Sequence, residues 1–133
     1  MDGPSKVADT DVLSREIFSS NQFKRNSNRV LRNTFQPPRD SQEISTIRSS
    51  LISERMLRSV VQRHEKRRGK SCYGVAKVSG AVIRQASWEP KGTPVFWNPY
   101  HADIILPPDD GKDSIIDASR QIAEKAKLVL FLN

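Results

Sequence analysis

Cysteine, glycine and long apolar runs are scarce in this chain, and each scarcity excludes a class of protein. Cys72 is the only cysteine among 133 residues, so an internal disulfide and a zinc site built on several cysteines are excluded. The six glycines do not cluster into a phosphate-binding loop, and the HExxH, GxSxG and CxxC motifs are absent. No stretch approaches the roughly 18 apolar residues of a membrane-spanning helix.

The start of the chain, MDGPSKVADTDV, lacks the apolar segment of a signal peptide. Together with the single cysteine, this predicts a protein of the reducing cytoplasm. The length fits one domain. We therefore expect a flexible tail over residues 1–9 and a single α+β domain over residues 10–133.

The net charge of +7 is distributed unevenly. Residues 1–71 carry 15 Lys and Arg against 8 Asp and Glu, whereas residues 72–133 carry 7 of each kind, so the whole excess lies in the first half. Such asymmetry indicates an anionic partner for that half, either nucleic acid or an acidic protein surface. The alternative is an ordinary solvated surface.

A basic amphipathic helix is predicted over about residues 54–67. Ser53 precedes it as a cap, and Gly69 follows as a stop. Met56, Leu57, Val60, Val61 and His64 have the helical spacing of a core-facing side. Cations on the opposite side and at the C-terminal end could neutralise a row of phosphates without reading a sequence. This predicted nucleic-acid surface comprises Arg55, Arg58, Arg63, Lys66, Arg67, Arg68 and Lys70.

A second principal helix is predicted over 114–127, after a cap at Asp113. Alternating and apolar runs predict strands. The full pattern predicts an α+β fold with a small mixed or antiparallel sheet and two principal helices. The strands are expected at 30–35, 44–48, 73–79, 95–97, 101–106 and 128–132, a short helix at 12–19, loops at 19–29 and 88–94, and either a helical turn or a strand at 80–87.

His101 is the sharpest candidate for chemistry. It begins a predicted strand, and Asp103 lies two positions later on the same face, where a carboxylate could orient the ring. With Arg48, it could bind or process a phosphate-bearing substrate. The alternative is a structural histidine bonded to a backbone carbonyl. His64, on an apolar helix face, is more typical of a core histidine, and we expect neither a metal site nor a cofactor.

Cys72 follows a basic run that could lower its pKa, although a buried small side chain is the more common role.

Several short motifs, taken together, carry a resemblance. They are SREIF at 14–18, NRV at 28–30, FQPP at 35–38, ISTIR at 44–48, YGVA at 73–76 and HADI at 101–104. In this order they resemble a group of short bacterial proteins of unknown function, in which valine stands where this chain has Thr46. The resemblance covers most of the chain and implies a bacterial source. It also implies an anion site in which Arg15, Arg29 and Arg48 join His101.

Three functions are compatible with these patterns. The first is a non-catalytic accessory module that acts on nucleic acid, or within a nucleoprotein assembly, through its basic N-terminal half. The second is a small toxin-like enzyme that uses Arg48 and His101 on a phosphate-bearing substrate. The third is a protein-binding antitoxin or immunity component. The missing catalytic motifs favour the first over the second.

Overall fold

The computed structural model describes residues 6–131, and its fold is α+β, as predicted. A six-stranded sheet has the order β6-β7-β4-β1-β5-β8 with antiparallel neighbours, and β2 and β3 form a separate hairpin. The bounds are β1 Val12–Ile17, β2 Phe23–Lys24, β3 Arg29–Val30, β4 Glu43–Ile47, α1 Glu54–Arg68, β5 Gly74–Ser79, α2 Gly80–Gln85, β6 Glu89–Gly92, β7 His101–Ile105, α3 Lys112–Lys125 and β8 Lys127–Leu130.

Helix α1 confirms the predicted basic helix almost to the residue. The Ser53 side chain accepts a hydrogen bond from the Met56 amide at 3.1 Å, and Gly69 ends the helix with a φ of 65°. Leu57, Val60 and Val61 are buried, as the spacing predicts. Met56 was expected beside them, but its side chain is 40% exposed. Successive helix residues point about 100° apart, so Met56 lies at the edge of the buried side while its neighbour Leu57 lies within it.

Helix α3 begins two residues earlier than predicted, with Gly111 at its N-cap instead of Asp113. Its inward side, including Ala118, Ile122 and Ala123, is buried as expected.

The predicted helix over residues 12–19 is wrong, because this segment forms strand β1. It pairs with β5 along its whole length and touches β4 at Ser14, which makes it a central strand. Leu13 and Ile17 had suggested a helix face, but residues four apart also share one face of a strand. Their spacing therefore did not distinguish the two structures, and pairing on both sides decided between them.

Three further predicted segments, 30–35, 88–94 and 95–97, have a different structure from the one expected. The predicted strand at 30–35 contains only the last residue of β3, Val30, and continues into a 3₁₀ turn over Arg32–Phe35. The predicted loop at 88–94 contains β6, where Pro90 is tolerated because an edge strand leaves one side unpaired. The predicted strand at 95–97 is a tight turn closed by a bridge between Val95 and Asn98.

The sheet separates two hydrophobic cores, and single strands contribute to both. On one face, α2 and α3 cover residues such as Ala76 and Ile44. On the other face, α1 covers Val75 and Ile47. Alternation along a strand sends neighbouring side chains to opposite faces. Polar residues of the second face, beyond the end of this smaller core, supply the candidate site.

The described part of the predicted tail packs against the domain. Val7 is fully buried, and Lys6 forms a bridge with Lys91 beside the β6 edge. The Arg84 guanidinium donates to the Asp9 carboxylate and to the Val7 carbonyl. Residues 6–9 are thus not a loose extension, and residues 1–5 lie outside the described residues.

Candidate functional site

The site begins where two strands of the sheet separate. β1 and β4 are paired only at Ser14 and Ile47. Beyond that point the Arg15 side chain bridges them, donating to the Ser45 carbonyl at 2.8 Å and to the Thr34 carbonyl at 3.1 Å. A partly buried guanidinium thus takes over hydrogen bonds that a continuous ladder would have made.

A cavity of about 330 Å³ opens at this separation, between α1, the sheet and the loop before β7. That volume lies at the lower end of the range for small-ligand pockets. Ser45 and Thr46 of β4 line it. Its other lining side chains are Glu16, His64, Arg67, Arg68, Trp97 and His101.

His64 is held in the cavity wall by Glu16. Its Nδ1 lies 2.8 Å from both carboxylate oxygens of that residue. A carboxylate accepts and does not donate, so the proton of the ring resides on Nδ1 and leaves Nε2 as the second, unbonded nitrogen. Nε2 is buried and has no hydrogen-bond partner in the part of the chain that the structure describes. The Trp97 ring meets the imidazole edge to face, with 5.6 Å between centroids.

His101 is held in a similar way on β7. Its Nδ1 lies 3.1 Å from the Thr93 carbonyl oxygen, which can only accept, so Nδ1 carries a proton. Its Nε2 lies 3.8 Å from the Asp103 carboxylate. The Thr93 hydroxyl donates to the other oxygen of that carboxylate at 2.9 Å. The structure therefore brings together His101 and Asp103, as their spacing on a strand predicted, with Thr93 joining them.

Arginines of α1 stack on aromatic rings instead of pairing with carboxylates. The Arg67 guanidinium carbon lies 4.0 Å from the centroid of Trp97, and that of Arg68 lies 4.5 Å from the centroid of Phe18. Among the described residues, neither guanidinium forms an ion pair. Stacking restricts a guanidinium without using its N–H groups, which stay available for an anion.

Arg15 adds to the positive charge behind the cavity. Burial, and then the nearby Arg68 charge, lower its pKa to about 10, although Glu16 acts in the opposite direction. Arg15 thus remains charged at neutral pH. Glu16 is the carboxylate close to Arg15, and it is already bonded to His64.

The predicted nucleic-acid residues divide into distinct groups. Arg67 and Arg68 line the cavity, and Arg63 lines an adjoining groove with the fully exposed Phe96. Arg58 lies over the Phe131 ring at 3.8 Å, so it covers the smaller core and does not project into solvent as predicted. The remaining three, Arg55, Lys66 and Lys70, are exposed.

The expected constellation of three arginines with His101 is not assembled. Arg48 donates to the Asp11 carboxylate at 3.0 Å and to the Lys6 carbonyl, and so fastens the N-terminal segment. Arg29 lies exposed on the β2–β3 hairpin. Arg15 lies in the strand gap behind the cavity. Of the four residues, His101 alone lines the cavity, because β4 turns Arg48 toward the opposite face from His101.

Cys72 is a buried small side chain, the role that the sequence analysis favoured. Cys72 is 4% exposed, and burial raises the pKa of its thiol to about 11. Cationic neighbours in sequence do not lower it, because the thiol faces the smaller core and the Gly74 carbonyl.

Glu16 and His64 are the site residues that sequence reasoning did not select. Glu16 lay in a segment predicted to be a helix, and His64 was assigned to the core. The two are 48 positions apart in the chain. The one signal in the sequence was the adjacent charges of Arg15 and Glu16 between apolar residues, since a charge in such a segment usually has a specific partner.

Comparisons with known protein families, curated proteins and solved structures found no match for this chain. Within residues 6–131, no group of three or more His, Cys, Asp or Glu side chains is arranged to hold a metal ion. In the same residues, no helix has the length and apolarity needed to cross a membrane.

Proposed function

We propose that this protein binds single-stranded nucleic acid along the C-terminal half of α1 and the adjoining Trp97 loop. The observation that carries the proposal is the pair of stacked guanidiniums, Arg67 and Arg68, which line one cavity and have no carboxylate partner within residues 6–131. Guanidinium groups arranged in this way favour phosphate oxygens, which they can bind with two parallel hydrogen bonds.

The aromatic residues beside this cavity favour single strands over duplex. Phe96 is fully exposed and Trp97 is 43% exposed, and both line the groove next to Arg63 and Arg67. Exposed aromatic rings alternating with cations are typical of proteins that stack unpaired bases while neutralising the backbone. Paired bases inside a duplex offer no free face for such stacking.

Intrinsic fluorescence offers a direct test. The chain has two tryptophans, and Trp88 is buried with its Nε1 donating to Asp110 at 3.0 Å. Added single-stranded oligonucleotide should therefore quench the emission of Trp97 selectively. Trp97→Leu should abolish this quenching and weaken binding by about 1–3 kcal/mol, the usual value for a base stacked on an aromatic ring.

Charge-matched variants test the arginines. Arg67→Gln with Arg68→Gln should weaken oligonucleotide binding in fluorescence anisotropy and reduce the salt slope, log Kd against log salt, by about 1.4, at about 0.7 per lost phosphate contact. The control, Lys112→Gln with Arg120→Gln, removes the same charge from α3 on the other side of the sheet. Equal weakening by both pairs would indicate attraction by net charge alone and would contradict a defined site.

A further inference from the structure

We infer that the cavity is also a catalytic site, at which His64 and His101 cleave single-stranded RNA by general base and general acid catalysis. The inference rests on the proposed function, because it assumes that the strand lies along the same cations. It goes beyond binding, since a binding surface needs no oriented histidines.

The cavity is lined by two histidines, and the ring of each is held in one orientation. These are the only histidines in the chain, and the fold brings them from α1 and β7 to line one space. Each ring is fixed through Nδ1 by an acceptor, the Glu16 carboxylate for His64 and the Thr93 carbonyl for His101. Fixing one nitrogen sets the tautomer and leaves Nε2 of each ring for proton transfer.

The surroundings of the two Nε2 atoms assign different roles. Among residues 6–131, Nε2 of His64 has no hydrogen-bond partner, so in the neutral ring its lone pair can act as the general base. Nε2 of His101 faces the Asp103 carboxylate at 3.8 Å, and this placement assigns His101 the part of the general acid. The Trp97 ring packs against His64. A nucleobase that stacks on Trp97 and draws that ring outward therefore uncovers Nε2 of His64.

RNA supplies its own nucleophile, so the reaction needs no further reactant. His64 removes the proton of a ribose 2′-hydroxyl, and the oxygen forms a bond to the adjacent phosphorus. The bond from phosphorus to the 5′-oxygen breaks, and His101 transfers a proton to the departing oxygen. The products are a 2′,3′-cyclic phosphate and a 5′-hydroxyl. Arg67 and Arg68 offset the charge that accumulates on the phosphoryl oxygens.

The experiment compares three labelled oligonucleotides of one sequence: RNA, 2′-O-methyl RNA and DNA. The wild-type protein should bind all three. It should cut only the RNA, to fragments that end in a 2′,3′-cyclic phosphate, because the other two lack the nucleophile. His64→Asn and His101→Asn should each slow cleavage by at least about 100-fold, the lower range for loss of a general acid or base. Their affinity for DNA should stay within about threefold.

Each contrary result has a defined meaning. Binding of intact RNA without cleavage overturns this inference and leaves the proposed function standing. No binding to any of the three overturns both. Cleavage that persists in both histidine variants, or that cuts 2′-O-methyl RNA, also overturns the inference, because it must come from another site. The 2′-O-methyl comparison uses the wild-type protein, so the test holds even if a histidine variant fails to fold. Arg120→Gln, on α3, should cleave at the wild-type rate.

Discussion

Arg48 was predicted to bind a phosphate-bearing substrate, but in the structure it stabilises the fold through an ion pair with Asp11. Besides Arg48, the Asp11 carboxylate accepts hydrogen bonds from the Ala8 amide at 2.9 Å and from the Ser50 hydroxyl at 3.2 Å. Partial burial acts to raise the pKa of Asp11, but these three donors outweigh it, so the pKa falls below its ordinary value of 3.8. The ionised carboxylate therefore stabilises the folded state.

Asp11→Asn should lower the free energy of unfolding at neutral pH by about 1.5–3 kcal/mol, the range for hydrogen bonds to a charged group. The stability that a lowered pKa supplies is present above 3.8 and disappears as the pH falls through the folded value. The difference in Tm between the wild type and Asp11→Asn should therefore shrink as the solution is acidified below about 3.8. A difference that stays constant there would contradict the role of the charge.

The cost of Asp11→Asn should also depend on Arg48. In a double-mutant cycle with Arg48→Ala, the two losses in unfolding free energy should add to more than the loss of the double variant, because both single changes break the same contact. Simple additivity would mean that the pair is not coupled.

At the scale of the secondary structure elements, β5 and β8 approach so closely that the first position of β5, Gly74, has room only for glycine. A Cβ atom at Gly74 would lie 2.2 Å from the Val129 carbonyl oxygen, a backbone atom that cannot turn away. Gly111, before α3, is a useful contrast. It has a φ of −84°, which any residue can adopt, and a Cβ atom there would meet no atom of residues 6–131 within 4 Å.

Gly74→Ala should therefore displace β8 from the sheet edge and destabilise the protein by more than about 2 kcal/mol, since overpacking against fixed atoms typically costs 1–3 kcal/mol. Gly111→Ala should cost no more than about 1 kcal/mol, because it meets no clash and loses only the preference for glycine over alanine at an N-cap. Urea unfolding of both variants measures this contrast. Comparable stabilities would show that β8 can shift at no cost.

At the scale of the whole molecule, the two cores should unfold together because single strands belong to both. Ala76 of β5 packs in the core under α3, and its neighbour Val75 packs in the core under α1. Unfolding of either core would therefore separate strands whose side chains also form the other core. A chain of this size is expected to show one cooperative transition.

One native probe reports on each core. Trp88 lies in the larger core and Cys72 in the smaller one. In a Trp97→Phe variant, the emission of Trp88 and the reaction of Cys72 with a thiol reagent should change at the same urea concentration. Before unfolding, the thiol should react slowly, because burial raises its pKa to about 11. Thiol reaction at a clearly lower urea concentration would show that α1 detaches first.

The sequence by itself determined the elements whose signals are local. Helix α1 was predicted from a cap at Ser53, an apolar stripe and a stop at Gly69, all of which lie within the helix or next to it. The sequence also predicted a strand over 101–106, which the structure has as β7, and the placement of His101 and Asp103 on one face of it.

Only the tertiary structure decided β1 and the composition of the cavity. Leu13 and Ile17 fit a helix and a strand equally well, and pairing with β4 and β5 selected the strand. That choice placed Glu16 against His64 and turned Arg48 toward Asp11. The physical reason is that these contacts join residues some 37 to 48 positions apart, so no local pattern could report them.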